Sequence, residues 1–150
     1  MINLVERTSI VPEEKIIKSL IEAALSARQA SYSPYSNYQV GAALLAANGT
    51  IYTGCNIENA AYSPTNCAER TAFFKAVSEG ERNFRAIAVV GGAKGKEIDN
   101  YAYPCGVCRQ VMMEFCNPED FWIITAKSVK EYVIKTLAEL LPDGFGAANL

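Results

Sequence analysis

Apolar residues recur every three or four positions in the first part of the chain. They are Ile16, Ile17, Leu20, Ile21, Ala24 and Leu25. This spacing puts them on one face of a helix, which predicts a first helix from about residue 12 to about residue 30. Pro12 and the acids Glu13 and Glu14 suit its first turn. The turn-forming residues between Ser33 and Asn37 end it.

Further along, apolar segments have the length and composition of β-strands. Residues 38–47 and 50–56 flank Asn48-Gly49, a strong hairpin signal, and we expect these two strands to pair antiparallel. Residues 84–90 and 121–126 are predicted to be buried strands, the first of them ended by Gly91-Gly92. Residues 132–135 are predicted to form a short last strand.

Capping residues and apolar spacing predict three more helices. Asn66 is predicted to cap a second helix that runs to about residue 80. A third helix is predicted over about residues 105–116. Thr136 and Glu139 have the spacing of a capping box for a short final helix that ends before Pro142.

The predicted element order is α-β-β-α-β-α-β-β-α, with no linker or repeat. Strands separated by a helix favour parallel pairing, because the crossover returns the chain to the same end of the sheet. We therefore expect one domain over residues 1–150. Its fold class is α/β, with a single mixed five-stranded sheet and helices on both faces.

Composition narrows the possible functions. The 150 residues carry a net charge of −2, and a protein that binds the nucleic-acid backbone is usually basic, so we expect no nucleic-acid partner. The N-terminal residues lack a signal-peptide pattern, and the apolar runs are far shorter than the ~20 residues of a membrane helix. We therefore expect a cytoplasmic protein with no membrane partner.

The chain has no histidine and five cysteines. The absence of histidine excludes Ser-His-Asp and Cys-His catalysis and any metal site that uses imidazole. An odd number of cysteines cannot all pair within one chain. In a reducing compartment, clustered cysteines are more often metal ligands or redox groups than disulfides.

Two short segments carry candidate chemistry, and each begins a predicted helix. They are Asn66-Cys67-Ala68-Glu69-Arg70 and Pro104-Cys105-Gly106-Val107-Cys108. A strand lies between them, so both helix starts can meet at one end of the sheet, where ligands collect in α/β folds. Three thiolates would leave a tetrahedral zinc ion with one open position for water. Glu69 is close enough in sequence to reach that water without being a ligand.

Three thiolates overcompensate the charge of Zn²⁺ and weaken it as a Lewis acid. Two features of the sequence counter this effect. Cys67, Cys105 and Cys108 lie at helix N-termini, where the macrodipole favours anions. Arg70 could donate to one or more of the thiolates, so we expect Arg70 to matter for activity.

Each of these residues also has a simpler interpretation. Cys105 and Cys108 alone could form a redox pair. Glu69 could be the far half of a capping box with Asn66, and an arginine such as Arg70 is most often a solvated surface charge. Cys55 and Cys116 could supply a fourth ligand for a closed structural site, although their spacing among apolar residues favours a place in the core.

The combined motif resembles a known family. Cys67-Ala68-Glu69 with Pro104-Cys105-x-x-Cys108 is similar to the zinc-deaminase signature. The segments YSNYQVGAAL (35–44) and CNIENAAY (55–62), and Leu140-Leu141-Pro142, resemble segments of cytidine deaminases that act on free nucleosides. The resemblance covers about residues 12–146 and points to the small, homotetrameric, three-cysteine branch.

The resemblance implies a role for each matching residue. One Zn²⁺ per chain would be held by Cys67, Cys105 and Cys108, while Glu69 moves the proton and Arg70 relieves the thiolate charge. Substrate-binding residues would be Tyr38, Asn56, Glu58, Ala60, Tyr62, Ala68 and Phe145. Of these, Ala60, Tyr62 and Phe145 would serve the site of a neighbouring subunit. Tyr38 stands where the family often has a phenylalanine, and Tyr103 where it commonly has a small residue.

The expected reaction is hydrolysis of cytidine and 2′-deoxycytidine to uridine and 2′-deoxyuridine plus ammonia, a step of pyrimidine salvage. Three alternatives remain open: a nucleic-acid-editing deaminase, a deaminase of an aminonucleoside antibiotic, and a non-catalytic zinc- or nucleoside-binding module. The net charge argues against the first of these. The pair Asn56 and Glu58 argues against the second, and the presence of Glu69 against the third.

Overall fold

The computed structural model describes residues 10–150. The helices are α1 (Glu14–Arg28), α2 (Ala68–Ser78), α3 (Gly106–Phe115) and α4 (Leu137–Leu140), followed by a 3₁₀ turn over Ala147–Asn149. The strands are β1 (Tyr38–Ala46), β2 (Ile51–Cys55), β3 (Phe84–Ala93), β4 (Trp122–Ser128) and β5 (Glu131–Thr136). The predicted element order is confirmed. Residues 1–9, on which part of the signal-peptide expectation rests, lie outside the described residues.

All five strands form one mixed sheet in the order β2-β1-β3-β4-β5. β1 pairs antiparallel with β2 and with β3, so β2 and β3 run in the same direction on either side of β1. β3 and β4 are parallel, as the crossover through α3 favours, and β5 returns antiparallel to β4. As a result, the loops that follow β2 and β3 leave the sheet at the same edge.

Helices cover both faces of the sheet, as the sequence predicts. α1 packs Ile17, Leu20, Ile21 and Ala24 on one face. Ala72 and Phe73 of α2 and Met112 of α3 are fully buried in the core on the opposite face. Within residues 10–150, no helix is long and apolar enough to cross a membrane.

Two sequence predictions about element ends are wrong. β3 continues through Gly91 and Gly92 to Ala93, because both glycines pair with β1. A Cβ on Gly91 would lie 2.9 Å from the Ala102 Cβ and 3.1 Å from the Tyr38 ring, and a Cβ on Gly92 would lie 3.3 Å from the Ile98 side chain. Asn66 does not cap α2: its backbone bonds to Ile57 in both directions and its amide donates to Thr71, so that the N-cap residue is Cys67.

Candidate zinc site and substrate cavity

Three cysteine sulfurs meet where the loops after β2 and β3 leave the sheet. Cys67 is the N-cap of α2, Cys105 is the N-cap of α3, and Cys108 lies in the first turn of α3. The Sγ atoms of Cys67 and Cys105 are 3.8 Å apart, and those of Cys105 and Cys108 are 3.5 Å apart. All three lie within 4.8 Å of one another. A redox pair formed by Cys105 and Cys108 alone would leave the nearby thiol of Cys67 unexplained.

The spacing of the sulfurs fits a zinc ion. Zinc–thiolate bonds of about 2.3 Å at a tetrahedral angle place neighbouring sulfurs about 3.8 Å apart. The two measured separations are close to this value. Among residues 10–150, this is the one cluster of histidine, cysteine and acidic residues with metal-binding geometry. Three protein ligands leave the fourth position of a tetrahedral ion open.

Hydrogen bonds distribute the charge among the thiols. Contact with Cys108 and with Arg70 lowers the pKa of the Cys67 thiol well below its ordinary value. The same contact with Cys67, together with burial, raises the pKa of the Cys108 thiol. The contact therefore favours negative charge on the Cys67 sulfur over negative charge on the Cys108 sulfur. A metal that binds all three as thiolates must release protons.

Arg70 lies beside the sulfurs rather than on the open surface. Its Nη2 donates to Cys67 Sγ at 3.3 Å. Its Nε is buried and has no hydrogen-bond partner among the described atoms. A guanidinium in this position withdraws charge from the thiolate, which counters the excess negative charge of a three-thiolate zinc site. The interpretation of Arg70 as a solvated surface charge is wrong.

Glu69 is a buried carboxyl group on the first turn of α2. Only 4% of the residue is exposed, and burial raises its pKa to about 7. α2 has no side-chain cap, so the capping-box interpretation of Glu69 is wrong. A carboxyl group with a pKa near 7 can accept and return a proton at neutral pH.

A cavity of about 400 Å³ opens beside these groups. Its lining includes Tyr38, Asn56, Cys67, Ala68, Glu69 and Cys105, together with Val40, Thr65, Asn66, Val89, Tyr101, Ala102 and Tyr103. The volume is within the usual range for a small-molecule site. The structure therefore joins two of the zinc-ligand candidates, the acid–base candidate and three of the substrate candidates in one cavity.

Asn56 is held firmly at the wall of this cavity. Its Oδ1 accepts from the Val40 N–H at 2.9 Å and from the Ser31 hydroxyl, while its Nδ2 donates to the Tyr38 carbonyl at 2.8 Å. The Oδ1 already has two donors. The amide therefore has one Nδ2 hydrogen left for a ligand.

Glu58 and Tyr62 line a neighbouring depression that shares Thr65 with the main cavity. Glu58 accepts from the backbone N–H groups of Tyr35 and Ser36 at 3.0 and 3.1 Å, and from the Ser36 hydroxyl at 2.5 Å. These bonds, the hydroxyl bond foremost, lower the pKa of the Glu58 carboxyl. An ionised Glu58 is thus held in a fixed orientation.

Tyr62, Ala60 and Phe145 are the outlying members of the predicted set. Tyr62 is 75% exposed and has a positive φ of 60°. Phe145 is 60% exposed, and its carbonyl accepts from Gln110 Nε2 at 2.9 Å. Neither Ala60 nor Phe145 lines the described cavity. Their predicted contribution to a neighbouring subunit stays a prediction.

The two remaining cysteines lie outside the cluster. Cys116 packs against the core on the α2 and α3 face, and burial raises the pKa of its thiol. Cys55 is half-buried at the end of β2, and burial also raises the pKa of its thiol. Neither belongs to the group of sulfurs with metal-binding geometry. A closed site with one of them as the fourth ligand is therefore wrong.

The partners of several site residues carry no signal in the sequence. Ser31 and Ser36 orient Asn56 and Glu58, but nothing in the local sequence marks the two serines for this role. Tyr101 and Tyr103 form part of the cavity wall. Lys127 lies 4.8 Å from the ring centre of Tyr101, and Lys135 lies 5.7 Å from that of Tyr103. Such contacts join residues far apart in sequence, so local spacing cannot reveal them.

Three clustered cysteines that would leave one position of a zinc ion open, next to a buried acid on an α/β sheet, are typical of a zinc-dependent hydrolase. Residues 14–124 match the model of the cytidine and deoxycytidylate deaminase zinc-binding region. The chain belongs to this family.

Individual relatives agree with this assignment. The chain is 52% identical over 135 residues to a cytidine deaminase of Sporosarcina psychrophila. The aligned region covers 89% of this chain and 94% of that protein. The chain is also 49% identical over 131 residues to one of Halalkalibacterium halodurans, covering 87% and 95%. The crystal structure of a cytidine deaminase from Burkholderia pseudomallei superposes with a TM-score of 0.77 at 46% identity, covering 85% of this chain and 97% of that one.

Proposed function

We propose that this protein catalyses the hydrolytic deamination of cytidine and 2′-deoxycytidine to uridine and 2′-deoxyuridine, with release of ammonia. The observation that carries the proposal is the buried Glu69 carboxyl beside three convergent sulfurs in a nucleoside-sized cavity. The cytidine deaminases among the relatives support the choice of substrate.

Cys67, Cys105 and Cys108 would hold a zinc ion, which would supply a Lewis acid that makes a water molecule beside Glu69 more acidic. Glu69 would carry two protons in turn. The first passes from the attacking water to N3 of the cytosine ring, and the second passes from the hydroxyl newly bound to C4 to the amine, which leaves as ammonia. The burial of Glu69 suits both steps, because a carboxyl with a pKa of about 7 exists in both protonation states near neutral pH. Arg70 keeps the Cys67 thiolate from overcompensating the metal charge.

The base and the sugar are bound by separate groups. The Ala68 N–H lies in the first turn of α2, where backbone donors have no acceptor within the helix, and it is suited to the pyrimidine O2. Asn56 donates its remaining Nδ2 hydrogen to the ribose 3′-hydroxyl, and Glu58 accepts from that hydroxyl. Tyr38 lines the cavity and stacks on the base.

The proposed assembly is a homotetramer with active sites shared between subunits. Tyr62 and Phe145 are large exposed aromatic residues that line no part of the cavity near Glu69. In the proposed tetramer they and Ala60 complete the site of a neighbour. We also propose a cytoplasmic location and a role in pyrimidine salvage, which recovers free nucleosides.

A substrate panel tests the proposal directly. Ammonia release is measured with cytidine, 2′-deoxycytidine, cytosine, CMP and adenosine, and zinc-stripped protein serves as the control. We expect turnover of the first two compounds only. Cytosine lacks the sugar hydroxyls and adenosine lacks the cytosine ring, while the 5′-phosphate of CMP meets no lysine or arginine among the described residues that line the cavity. Turnover of CMP without turnover of cytidine would assign the enzyme to nucleotides instead.

A further inference from the structure

Arg109 is a half-buried arginine of α3 that faces residues 104–105, here called the metal loop, rather than the solvent. Its Nε donates to the Pro104 carbonyl at 2.7 Å. Its Nη1 donates to the Leu140 carbonyl, at the end of α4, at 2.6 Å. Its own backbone N–H donates to the Cys105 carbonyl at 3.0 Å. The carbonyls of Pro104 and Cys105 flank the Cα of Cys105. The Arg109 side chain holds the first, and the second accepts an ordinary main-chain bond of α3 that any residue other than proline at position 109 would make.

Cys105 is the ligand candidate that most needs such support. Cys108 is buried, and Cys67 is half-buried with its sulfur bonded to Arg70. Cys105 is exposed, and its side chain caps no backbone group of α3. Besides the neighbouring sulfurs, the main chain on either side of Cys105 is what fixes the position of its Sγ.

The far end of the Arg109 bridge is itself anchored. α4 is closed at its start by a capping box between Thr136 and Glu139. Leu137 is fully buried in the core, and its N–H donates to the Phe121 carbonyl at 3.0 Å. The carbonyl of Leu140 is therefore a fixed point that lies outside the metal loop. Only a planar fork of donors spans from this point to Pro104, and the single ammonium group of lysine does not.

We propose that Arg109 is a positioning residue for the metal site. Its side chain fixes the Pro104–Cys105 main chain and thereby orients the Cys105 sulfur for zinc binding. The inference rests on zinc as the ion held by the three sulfurs. Groups that orient metal ligands without touching the metal typically change metal affinity by about 10- to 100-fold when mutated. Arg109 would act on Cys105 through its main chain, whereas Arg70 acts on Cys67 through its sulfur.

The test compares zinc affinity in Arg109→Lys with that in a matched control, Arg82→Lys. Arg82 also donates to two main-chain carbonyls, those of Val77 and Glu81 at 2.7 and 2.8 Å, but at the opposite end of α2 from Cys67. Reduced metal-free protein is titrated with zinc against a chromophoric chelator. Cobalt titration adds the sulfur-to-cobalt absorption band as a measure of ligand geometry.

We expect Arg109→Lys to bind zinc at least about 10-fold more weakly and to alter the cobalt band, with Arg82→Lys unchanged in both. Wild-type zinc affinity in Arg109→Lys, or an equal loss in both variants, would overturn the role of Arg109. Failure of the wild-type protein to bind zinc would instead overturn the zinc site itself. If Arg109→Lys does not fold, Thr136→Val decides: it loosens α4 and must weaken zinc binding a few-fold, and unchanged affinity there overturns the proposal.

Discussion

At the scale of a single residue, the position of Glu69 in the sequence fits two roles, a helix-capping residue and an acid–base group beside a metal ligand. Glu69 lies three positions after Asn66, as in a capping box, and two positions after Cys67, as beside a metal ligand. The structure separates the two explanations by burial, because a capping carboxylate lies at a helix end near water while Glu69 is 4% exposed. Keeping a carboxylate away from water is costly, and this burial is the main cause of its raised pKa.

Replacing Glu69 with glutamine keeps the shape of the side chain and removes its ability to carry a proton. We expect Glu69→Gln to retain zinc and fold while kcat for cytidine falls by roughly 10²- to 10⁴-fold. The change in ultraviolet absorbance from cytidine to uridine gives kcat, and metal analysis gives zinc per chain. Near wild-type turnover in the zinc-loaded variant would contradict the proton role.

A substitution of Arg70 tests whether its guanidinium offsets the excess negative charge of a three-thiolate zinc site. Arg70→Ala leaves the Cys67 thiolate without its donor, so that the metal becomes a weaker Lewis acid. We expect kcat to fall by roughly 10- to 100-fold with zinc retained. Arg82→Ala, which removes an exposed guanidinium away from the sulfurs, should leave kcat unchanged. Identical kinetics in Arg70→Ala and wild type would remove any role for this charge.

At the scale of elements, two glycines control how closely the helices approach the sheet. A Cβ on Gly54 of β2 would lie 2.4 Å from the Ala68 carbonyl oxygen and 2.6 Å from the Ala72 nitrogen, both in α2. A Cβ on Gly41 of β1 would lie 2.0 Å from the Ala24 carbonyl oxygen in α1. Ala68 and Glu69 are the first residues of α2. The close contact at Gly54 therefore also determines how far the Ala68 N–H and the Glu69 carboxyl lie from the sheet.

We expect Gly54→Ala to lower the free energy of unfolding by about 1–3 kcal/mol or more, because backbone atoms must move to admit the methyl group. Gly106→Ala is the matched control, since a Cβ there meets no atom within 4 Å and the residue lies in α3. The control should be neutral or stabilising by up to about 1 kcal/mol. Urea denaturation measures both, and equal effects would show that the close contact is unimportant.

The elements that could be predicted from the sequence are those specified by local pattern. The spacing of Ile17, Leu20 and Ile21 predicts α1, and Asn48-Gly49 predicts the hairpin of β1 and β2. The end of β3 could not be predicted, because Gly91 and Gly92 are kept in the strand by pairing with the distant strand β1, and a Cβ on Gly91 would also collide with the Ala102 side chain. For the same reason, Asn66 follows its bonds to Ile57 rather than its local preference for a helix cap.

The candidate site divides in the same way. Cys105 and Cys108 lie three residues apart, and Glu69 lies two residues from Cys67, so short motifs reveal them. The groups that orient the site are joined across 23 to 31 residues: Ser31 to Asn56, Tyr35 to Glu58, and Arg109 to Leu140. Serine and arginine are too common in turns and on surfaces for such pairings to be seen before the chain is folded.

At the scale of the whole molecule, the proposed tetramer makes a direct prediction. Sedimentation equilibrium should give a mass four times that of the chain. Phe145→Ala should raise KM for cytidine several-fold in the assembled enzyme if the ring reaches a neighbouring site. Phe74→Ala, which removes another exposed phenylalanine, is the control. A monomer with full activity would contradict the shared-site model.

The sulfurs of Cys105 and Cys108 are only 3.5 Å apart. Bound zinc would therefore also protect these two thiols from oxidation to a disulfide. With zinc bound, both thiolates are engaged; when a chelator removes it, an exposed and a buried thiol face each other, ready to be oxidised to a disulfide. We expect chelated protein to lose two titratable thiols in air and then fail to reload, while zinc-loaded protein keeps all five. Thiol counting with Ellman's reagent in denaturant checks this, and equal loss in both samples would contradict it. The enzyme's working life would then depend on its metal supply as much as on its fold.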